Sequence, residues 1–485
     1  MSEVAVTSRS HAPASATGAL VAGTYAVLGF FLLVPRLAGL GDGLRSDEIV
    51  SLRDYIREGP SVILAGTYIP NNHELFSLLG WAITSVVGES AAALRLASIV
   101  PFVVGIALVT AWLHRRLGPA SGVFFLFFVT ASPLLLDITR HARGYGLAFL
   151  AMSVMTLAAL ELVREPRTWI VVAFFAAGVV GTLTLPIFGV AFGTTATVLL
   201  VHRALRWQAA IGIAASLVAV LAWYGPHLDD LAQNSRQEYG RRIEGAWVVT
   251  APIDQIVVPA LGWIDETLVV PGVGSALLTA AVLLLIVSSP LLRKLDDALV
   301  LCAGAVTTVA TVWFTQTYAV PRFFSFLLVP LLMLLATGVA NVLEQMVERR
   351  RAGVRSVVAV GLVGVAVLLA APNMWRMATL PSDAARDVAA AIREDAGPST
   401  PVFAYVPYPH DIEYFLGRRV HLVRKPAQLA AMCSSPNDTV FVSHLWLLPA
   451  VEVGCTARPG TRHVTFRQYA RTGRIDVWFI PPKSS

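Results

Sequence analysis

Residues 119–162 read PASGVFFLFFVTASPLLLDITRHARGYGLAFLAMSVMTLAALEL. Two apolar runs, 119–136 and 145–162, flank a turn at 137–144 that holds Asp137, Arg140, His141 and Arg143. A helix needs about 20 residues to cross the hydrocarbon core of a bilayer, so the pattern predicts a transmembrane hairpin with its charged turn at the water boundary. Comparable runs lie at 19–36, 94–113, 169–185, 187–201, 209–224, 273–292, 298–315, 323–343 and 356–371, which makes eleven, or up to thirteen with shorter candidates. Composition demands the same class. With 56% hydrophobic and only 14% charged residues over 485 positions and a mean hydropathy of +0.67, the chain is too apolar for water and reads as an α-helical polytopic membrane protein.

Charge sets the orientation. The first run follows a polar tail, residues 1–18, whose single Arg9 is too little for a cleaved signal, so it reads as an uncleaved span with a cytoplasmic tail. The stretch 74–88 is short and opens with Glu74. If it lies at the outer interface, Arg115/Arg116, Arg164/Arg167, Arg203/Arg206, Arg293/Lys294 and the cluster at 349–355 all fall in cytoplasmic loops, as the positive-inside rule requires. If it crossed, each cluster would move outside, so the stretch reads as an interfacial or re-entrant helix. Residues 37–93, 137–144, 225–272 and 316–322 then gather on the outer face. The 37 basic residues outnumber the 31 acidic ones without forming a basic patch, and the basic clusters between apolar segments argue for membrane orientation and against a nucleic-acid partner.

Within the membrane domain, 19–372, the middles of the spans carry no charged residue or histidine. Ion-coupled carriers and pumps need such groups at depth. From about 373 the hydropathy falls, and helix-like runs (383–392, 411–416, 427–432) alternate with strand-like ones (402–406, 439–442, 476–480), which predicts a small extracytoplasmic α/β domain over 373–485. It has no Gly-rich phosphate loop and no dinucleotide fingerprint, so no cofactor is assigned. Cys302 reads as a buried thiol. Cys433 and Cys455 are either free or bridged, since spacing fixes neither geometry nor compartment.

Three constellations carry candidate chemistry. Arg140, Arg143 and Arg322 sit at outer span ends, where positive-inside discourages arginine; a substrate phosphate would bind such guanidinium groups bidentately, and ordinary lipid phosphates would do so too. Asp47-Glu48 follows the first span. Adjacent carboxylates raise one another's pKa, which suits one to take a proton from an acceptor hydroxyl, while the alternative is an acidic first turn of a solvated helix. Asn71-Asn72-His73-Glu74-Leu75-Phe76 opens the interfacial helix, with the asparagines read as helix caps. His73, His141 and Asp47 are too scattered to define a metal site. The 225–272 loop carries Tyr239, Trp247 and Trp263, which suit either sugar stacking or the membrane interface.

The ordered series of Asp47-Glu48, Asn72-His73-Glu74-Leu75-Phe76, Leu94-Arg95-Leu96, Ser132-Pro133, Arg140-His141-Ala142-Arg143-Gly144-Tyr145 and Pro321-Arg322-Phe323 resembles the integral-membrane GT-C glycosyltransferases over residues 20–345, in the branch of the protein O-mannosyltransferases and aminoarabinose lipid A transferases. The resemblance implies a polyprenyl-phosphate sugar donor, with mannose foremost, inversion at the anomeric carbon, and a protein or cell-envelope glycan as acceptor. Mapped residue by residue, it makes Asp47 the base and Glu48 an orienting carboxylate, has Arg143 and Arg322 stabilise the departing phosphate, and has Tyr145 support it; His73 and Arg140 join as substrate-binding residues. The chain departs from the family pattern at Glu74 and His141, and at 182–186, where a family histidine is missing. A divalent-ion requirement stays open. So do two other classes, a carrier of lipid-linked sugars and a non-catalytic scaffold.

Overall fold

A computed structural model describes residues 16–41, 43–65, 72–230, 274–315, 321–347, 385–405, 410–423, 432–435, 437–444, 459–467 and 474–482, with 361, 364 and 428 as single positions. In its first part the described residues are helices joined by short connections. The helices are α1 (Ala16–Ala38), α2 (Ser46–Ser51, continued by a π turn, Leu52–Ile56), α3 (Pro60–Ala65), α4 (Glu74–Val87), α5 (Ala91–Leu117), α6 (Pro119–Ala131), α7 (Pro133–Thr139), α8 (Tyr145–Leu162), α9 (Thr168–Thr184), α10 (Phe188–Val201), α11 (Arg206–Tyr224), α12 (Gly274–Val287), α13 (Leu295–Thr315) and α14 (Leu328–Val347). Five helical stretches among the described residues are long and apolar enough to cross a membrane: Gly18–Ala38, Ala91–Leu117, Tyr145–Leu162, Arg206–Asp230 and Phe324–Met346. Four shorter apolar helices, α4, α6, α9 and α10, accompany them, and the chain is a multi-pass membrane protein.

Most expected spans match a helix, with two exceptions. The run 119–136 is broken: α6 stops at Ala131, and Ser132 caps a new helix by accepting the Leu135 N–H at 3.3 Å. Pro133 causes the break, because it lacks an N–H for the preceding turn and suits the first position of the next helix. The expected span 356–371 lies outside the described residues apart from 361 and 364.

α5 is the ruler of the bundle, since its 27 residues reach about 40 Å. At its C-terminal end Arg116 pairs with Glu161 of α8 at 2.5 Å, the Trp112 indole N–H donates to the same carboxylate at 2.7 Å, and Arg164 pairs with Asp297 of α13 at 2.8 Å. Three of the basic loop segments thus share one face. Near its N-terminal end Arg95 meets Glu48 at 3.0 Å, so the first loop lies at the opposite face. Both ends of α4 are also there: His73, its N-cap, contacts Arg143, and Glu89, just past its C-cap, pairs with Arg57 at 2.6 Å. α4 therefore returns to the face on which it began.

Between the two polar faces the helices pack through apolar side chains, with α5, α6, α8, α9, α10 and α14 supplying one continuous buried cluster. α8 approaches α5 through Gly146, where any Cβ would overlap the Ser98 backbone carbonyl.

The C-terminal unit is a five-stranded mixed sheet of order β2-β1-β3-β5-β4, formed by β1 (Val402–Tyr405), β2 (His421–Leu422), β3 (Thr439–His444), β4 (Arg462–Arg467) and β5 (Arg474–Ile480), with helices α15 (Ala385–Asp395) and α16 (His410–Leu416). Strands β1, β2 and β3 run parallel, while β5 is antiparallel to β3 and β4. α15 buries Ala385, Val388, Ala389 and Ile392, the i, i+3, i+4, i+7 stripe, against alternating Val402/Ala404, Val440/Val442 and Ile475/Val477. The unit touches the first loop through α16: Tyr414 and Phe415 join the buried cluster of Leu44, Ile49, Leu52 and Phe76, and Arg57 lies 5.9 Å over the Tyr414 ring.

Gly146→Ala is expected to destabilise the protein by about 1–3 kcal/mol through overpacking against α5. Gly29→Ala, where an added Cβ meets nothing, is the control, and thermal unfolding in detergent should leave its melting temperature unchanged or slightly raised.

Candidate active site

The site grows from a short helix. α2 starts after Arg45, and Glu48 at its third position accepts the Arg45 backbone N–H at 2.7 Å, one half of a capping box. The same carboxylate reaches two other segments. Arg95 grips it through Nη2 at 3.0 Å and Nε at 3.2 Å, and the Ala142 backbone N–H donates to it at 2.5 Å. Arg95 spends its remaining donors on the carbonyls of Gly39 at 2.7 Å, Leu40 at 3.2 Å and Gly43 at 2.8 Å. Both side chains are 1% exposed, so this is a fully desolvated ion pair with its polar atoms satisfied. Burial on its own would raise the Glu48 pKa, but the charge and hydrogen bonds of Arg95, with His141 and the Ala142 N–H, outweigh it and hold the carboxyl below its ordinary value.

Asp47 points elsewhere. Successive helix residues are about 100° apart, so with Glu48 turned inward Asp47 faces a different sector, where its side chain is 28% exposed and lies 3.5 Å from Arg143 Nη1. Arg143 is buried, and its Nη2 meets His73 Nε2 at 2.5 Å. A guanidinium only donates, so His73 presents a lone pair at Nε2 and is neutral, with its proton on Nδ1. Tyr145 closes the group: its ring stands edge-on to His73 at 5.3 Å and 6.0 Å from the Arg143 guanidinium. Its hydroxyl is buried with no hydrogen-bond partner among the described residues.

Arg140 is buried one turn away, with its guanidinium laid against Gly39, where any Cβ would overlap it. Thr139 anchors the same turn to α1 by accepting Arg36 Nε at 2.9 Å. Asp137 pairs with Arg45 at 2.8 Å and lies 3.8 Å from His141. Of the seven residues singled out in the sequence, Asp47, His73, Arg143 and Tyr145 form one contact network; Glu48, next to Asp47 in the chain, belongs to the separate cluster of Arg45, Arg95 and Ala142, and Arg140 sits in the turn beside them. Arg322 lies on the 3-10 turn Pro321–Leu327, which packs on α7 and α8, but its side chain is outside the described residues.

Several neighbours differ from expectation. Asn72 is not the cap of α4: it donates to the Ile63 carbonyl at 3.3 Å and accepts the Ser77 hydroxyl at 2.9 Å, leaving His73 at the N-cap. Buried polar side chains bond wherever partners exist, and here the partners lie across α3 and α4. Asn71 is outside the described residues, as are Tyr239, Trp247 and Trp263. Glu74 turns toward α11, where the Trp223 indole N–H donates to it, and burial pushes its carboxyl above the ordinary range. Arg36 is a residue that sequence reasoning missed, and Arg95, although part of the quoted motif series, was given no role there; the available signal was a charged residue at the last turn of one apolar run and inside the first turns of another.

No protein-family model matches the chain, and no curated protein matches it in sequence. Its fold does match. ArnT from Cupriavidus metallidurans in the apo state superposes with a TM-score of 0.57 at 13% identity, covering 94% of this chain and 98% of that one. The same protein bound to undecaprenyl phosphate gives 0.54 at 15% identity, covering 96% and 98%. The oligosaccharyltransferase of Archaeoglobus fulgidus, in complex with zinc and sulfate, gives 0.50 at 11% identity, covering 88% and 68%. The chain therefore shares the fold of these proteins, in keeping with its motif series.

Arg95→Leu is expected to lower stability by about 3–5 kcal/mol, because it strands a buried carboxylate; the double variant Glu48→Gln/Arg95→Leu should lose less than the two single changes summed. The pH dependence follows from the depressed Glu48 pKa. Its contribution is complete above the unfolded value of about 4.3 and is lost as pH falls through the lower folded value. Melting temperatures recorded between about pH 6 and pH 3 should fall less steeply for Glu48→Gln than for the wild type.

Proposed function

We propose that the chain is an inverting glycosyltransferase that moves a sugar from a polyprenyl-phosphate donor to an extracytoplasmic acceptor, with Asp47 as the base. The observation that carries this reading is the pairing of an accessible carboxylate with a buried guanidinium, Asp47 and Arg143 at 3.5 Å, on a fold shared with a protein solved bound to undecaprenyl phosphate. Asp47 accepts the proton of the acceptor hydroxyl as that oxygen attacks the anomeric carbon. The bond from that carbon to the phosphate oxygen breaks on the opposite side, and the electron pair leaves with the lipid phosphate. Arg143, Arg140 and Arg322 take up the developing negative charge, an interaction strengthened where water is excluded. The unpartnered Tyr145 hydroxyl donates to the same phosphate.

Glu48 has a different task. Its hydrogen bonds with Arg95, Arg45 and Ala142 make it a poor proton acceptor, and its low pKa fits a positioning residue. The neutral His73 holds Arg143 without adding competing charge. Mannose as the sugar, and a protein or cell-envelope glycan as the acceptor, follow from the motif resemblance.

The reading also assigns sides. Cys433 is disulfide-bonded, which suits an oxidising compartment, and its domain touches the loop that carries Asp47 through α16. Site and C-terminal domain then both face outward, with eleven spans between a cytoplasmic tail and residue 373. Cys455 lies outside the described residues.

The test is transfer of radiolabelled mannose from polyprenyl phosphate to envelope acceptors by the reconstituted protein. Asp47→Asn is expected to lower the rate about 100-fold or more, and Arg143→Ala by a similar factor, with the melting temperature of Asp47→Asn close to wild type. Full activity in Asp47→Asn removes the assigned base. A failure of the wild type with every polyprenyl-phosphate sugar supplied favours a carrier or scaffold.

A further inference from the structure

A groove between α1, α5 and α6 takes no part in the site above. It is a cleft open along one side, with a volume of about 440 Å³, inside the range of roughly 300–1,000 Å³ typical of small-molecule sites. Leu32 of α1 and Val103 of α5 line its apolar end, while Tyr25, His114 and Arg115 line the other. The rise from Val103 to Arg115 along α5 is about 18 Å. Half of a hydrocarbon core of about 30 Å is close to that length, so the groove has the depth of one leaflet.

Its polar end is cationic. Arg116 is spoken for by Glu161 at 2.5 Å, but Arg115 is exposed and makes no ion pair among the described residues. His114 stands beside it, fixed by a 3.0 Å hydrogen bond to the Tyr25 hydroxyl. No acidic residue lines the groove. A zwitterionic headgroup would bring an ammonium to this cationic lip, whereas a net-negative headgroup brings only the complementary charge. Arg115 and Arg95 are separated by about 30 Å along one helix, so the groove's mouth is at the face opposite Asp47.

We propose that this groove binds an anionic phospholipid, one acyl chain lying between α1 and α5 and the phosphate on Arg115 and His114, in the leaflet opposite the candidate active site. The inference rests on the membrane-spanning fold and is independent of the transferase reading. The source is a bilayer phospholipid rather than a polyprenyl phosphate, because the groove matches the depth of a single leaflet.

Native mass spectrometry of the full chain in detergent, titrated with phosphatidylglycerol, phosphatidylcholine of the same chains, or undecaprenyl phosphate, tests it. The wild type is expected to retain phosphatidylglycerol about tenfold more strongly than phosphatidylcholine, one charge-assisted hydrogen bond's worth. Arg115→Gln should abolish that preference, and Ala107→Trp, which fills the groove without changing charge, should reduce retention of both phospholipids. Equal retention of the two by the wild type overturns the proposal whether or not either variant folds. Stronger retention of undecaprenyl phosphate than of phosphatidylglycerol overturns the assigned occupant.

Discussion

The structure around the first loop depends on one buried ion pair. Glu48 and Arg95 are each 1% exposed, and removing two such charges from water costs several kcal/mol per ion before any attraction is counted. What offsets that cost here is completeness: the carboxylate receives two backbone N–H groups besides the guanidinium, and the guanidinium reaches three carbonyls besides the carboxylate. Such pairs add little net stability, and their best-attested use is to select one arrangement. At this site the arrangement joins the end of α1, the start of α2, the first turns of α5 and the turn before α8. Shifting any one of them leaves a buried charge unmatched.

Asp47 inherits its position from that lock. Because Glu48 must point inward, its neighbour on the helix must point aside, and the aside direction is occupied by Arg143. Arg143 is itself fixed from behind by His73 and flanked by Tyr145. The accessible acid is thus held by groups that are not accessible, the condition under which a carboxylate and a guanidinium keep one separation without substrate. Flexible loops seldom offer this. The first loop manages it because its backbone carbonyls at Gly39, Leu40 and Gly43 are bound by a side chain from a membrane helix rather than by water.

How much of this could be read in the chain varies with the physics involved. Hydrophobic length is local, so the runs that became α1, α5, α8, α9, α11 and α14 were legible. The charge asymmetry between loops is nearly so, and Arg116, Glu161, Arg164 and Asp297 do gather at one face. Helix breaks are subtler: Pro133 divides a run that hydropathy alone joins. Two strands, β2 and β4, were missed because β2 has two residues and β4 mixes Arg462, His463 and Arg467 with few apolar positions. In the site, the residue types were legible but their division of labour was not. Nothing in Asp47-Glu48 says which carboxylate turns inward; that is decided by Arg95, forty-seven positions away.

The C-terminal unit completes the same constraint from outside the bundle. Phe415 and Arg386 lie beside Gly43, whose carbonyl Arg95 holds, and Tyr414 packs under Arg57, which pairs with Glu89 at the end of α4. The stretch from Gly43 to Arg57 is therefore pressed between a membrane helix on one side and α16 on the other, and its apolar residues Leu44, Ile49, Leu52 and Ile56 are buried in that contact. A segment of this length exposed on both sides would cost roughly 1–2 kcal/mol of backbone entropy per residue to hold in one conformation. Covering both sides supplies the apolar burial that a loop at the bilayer surface otherwise lacks. Within this covered stretch Asp47 keeps a partly open side chain, and it is open on the side of Arg143.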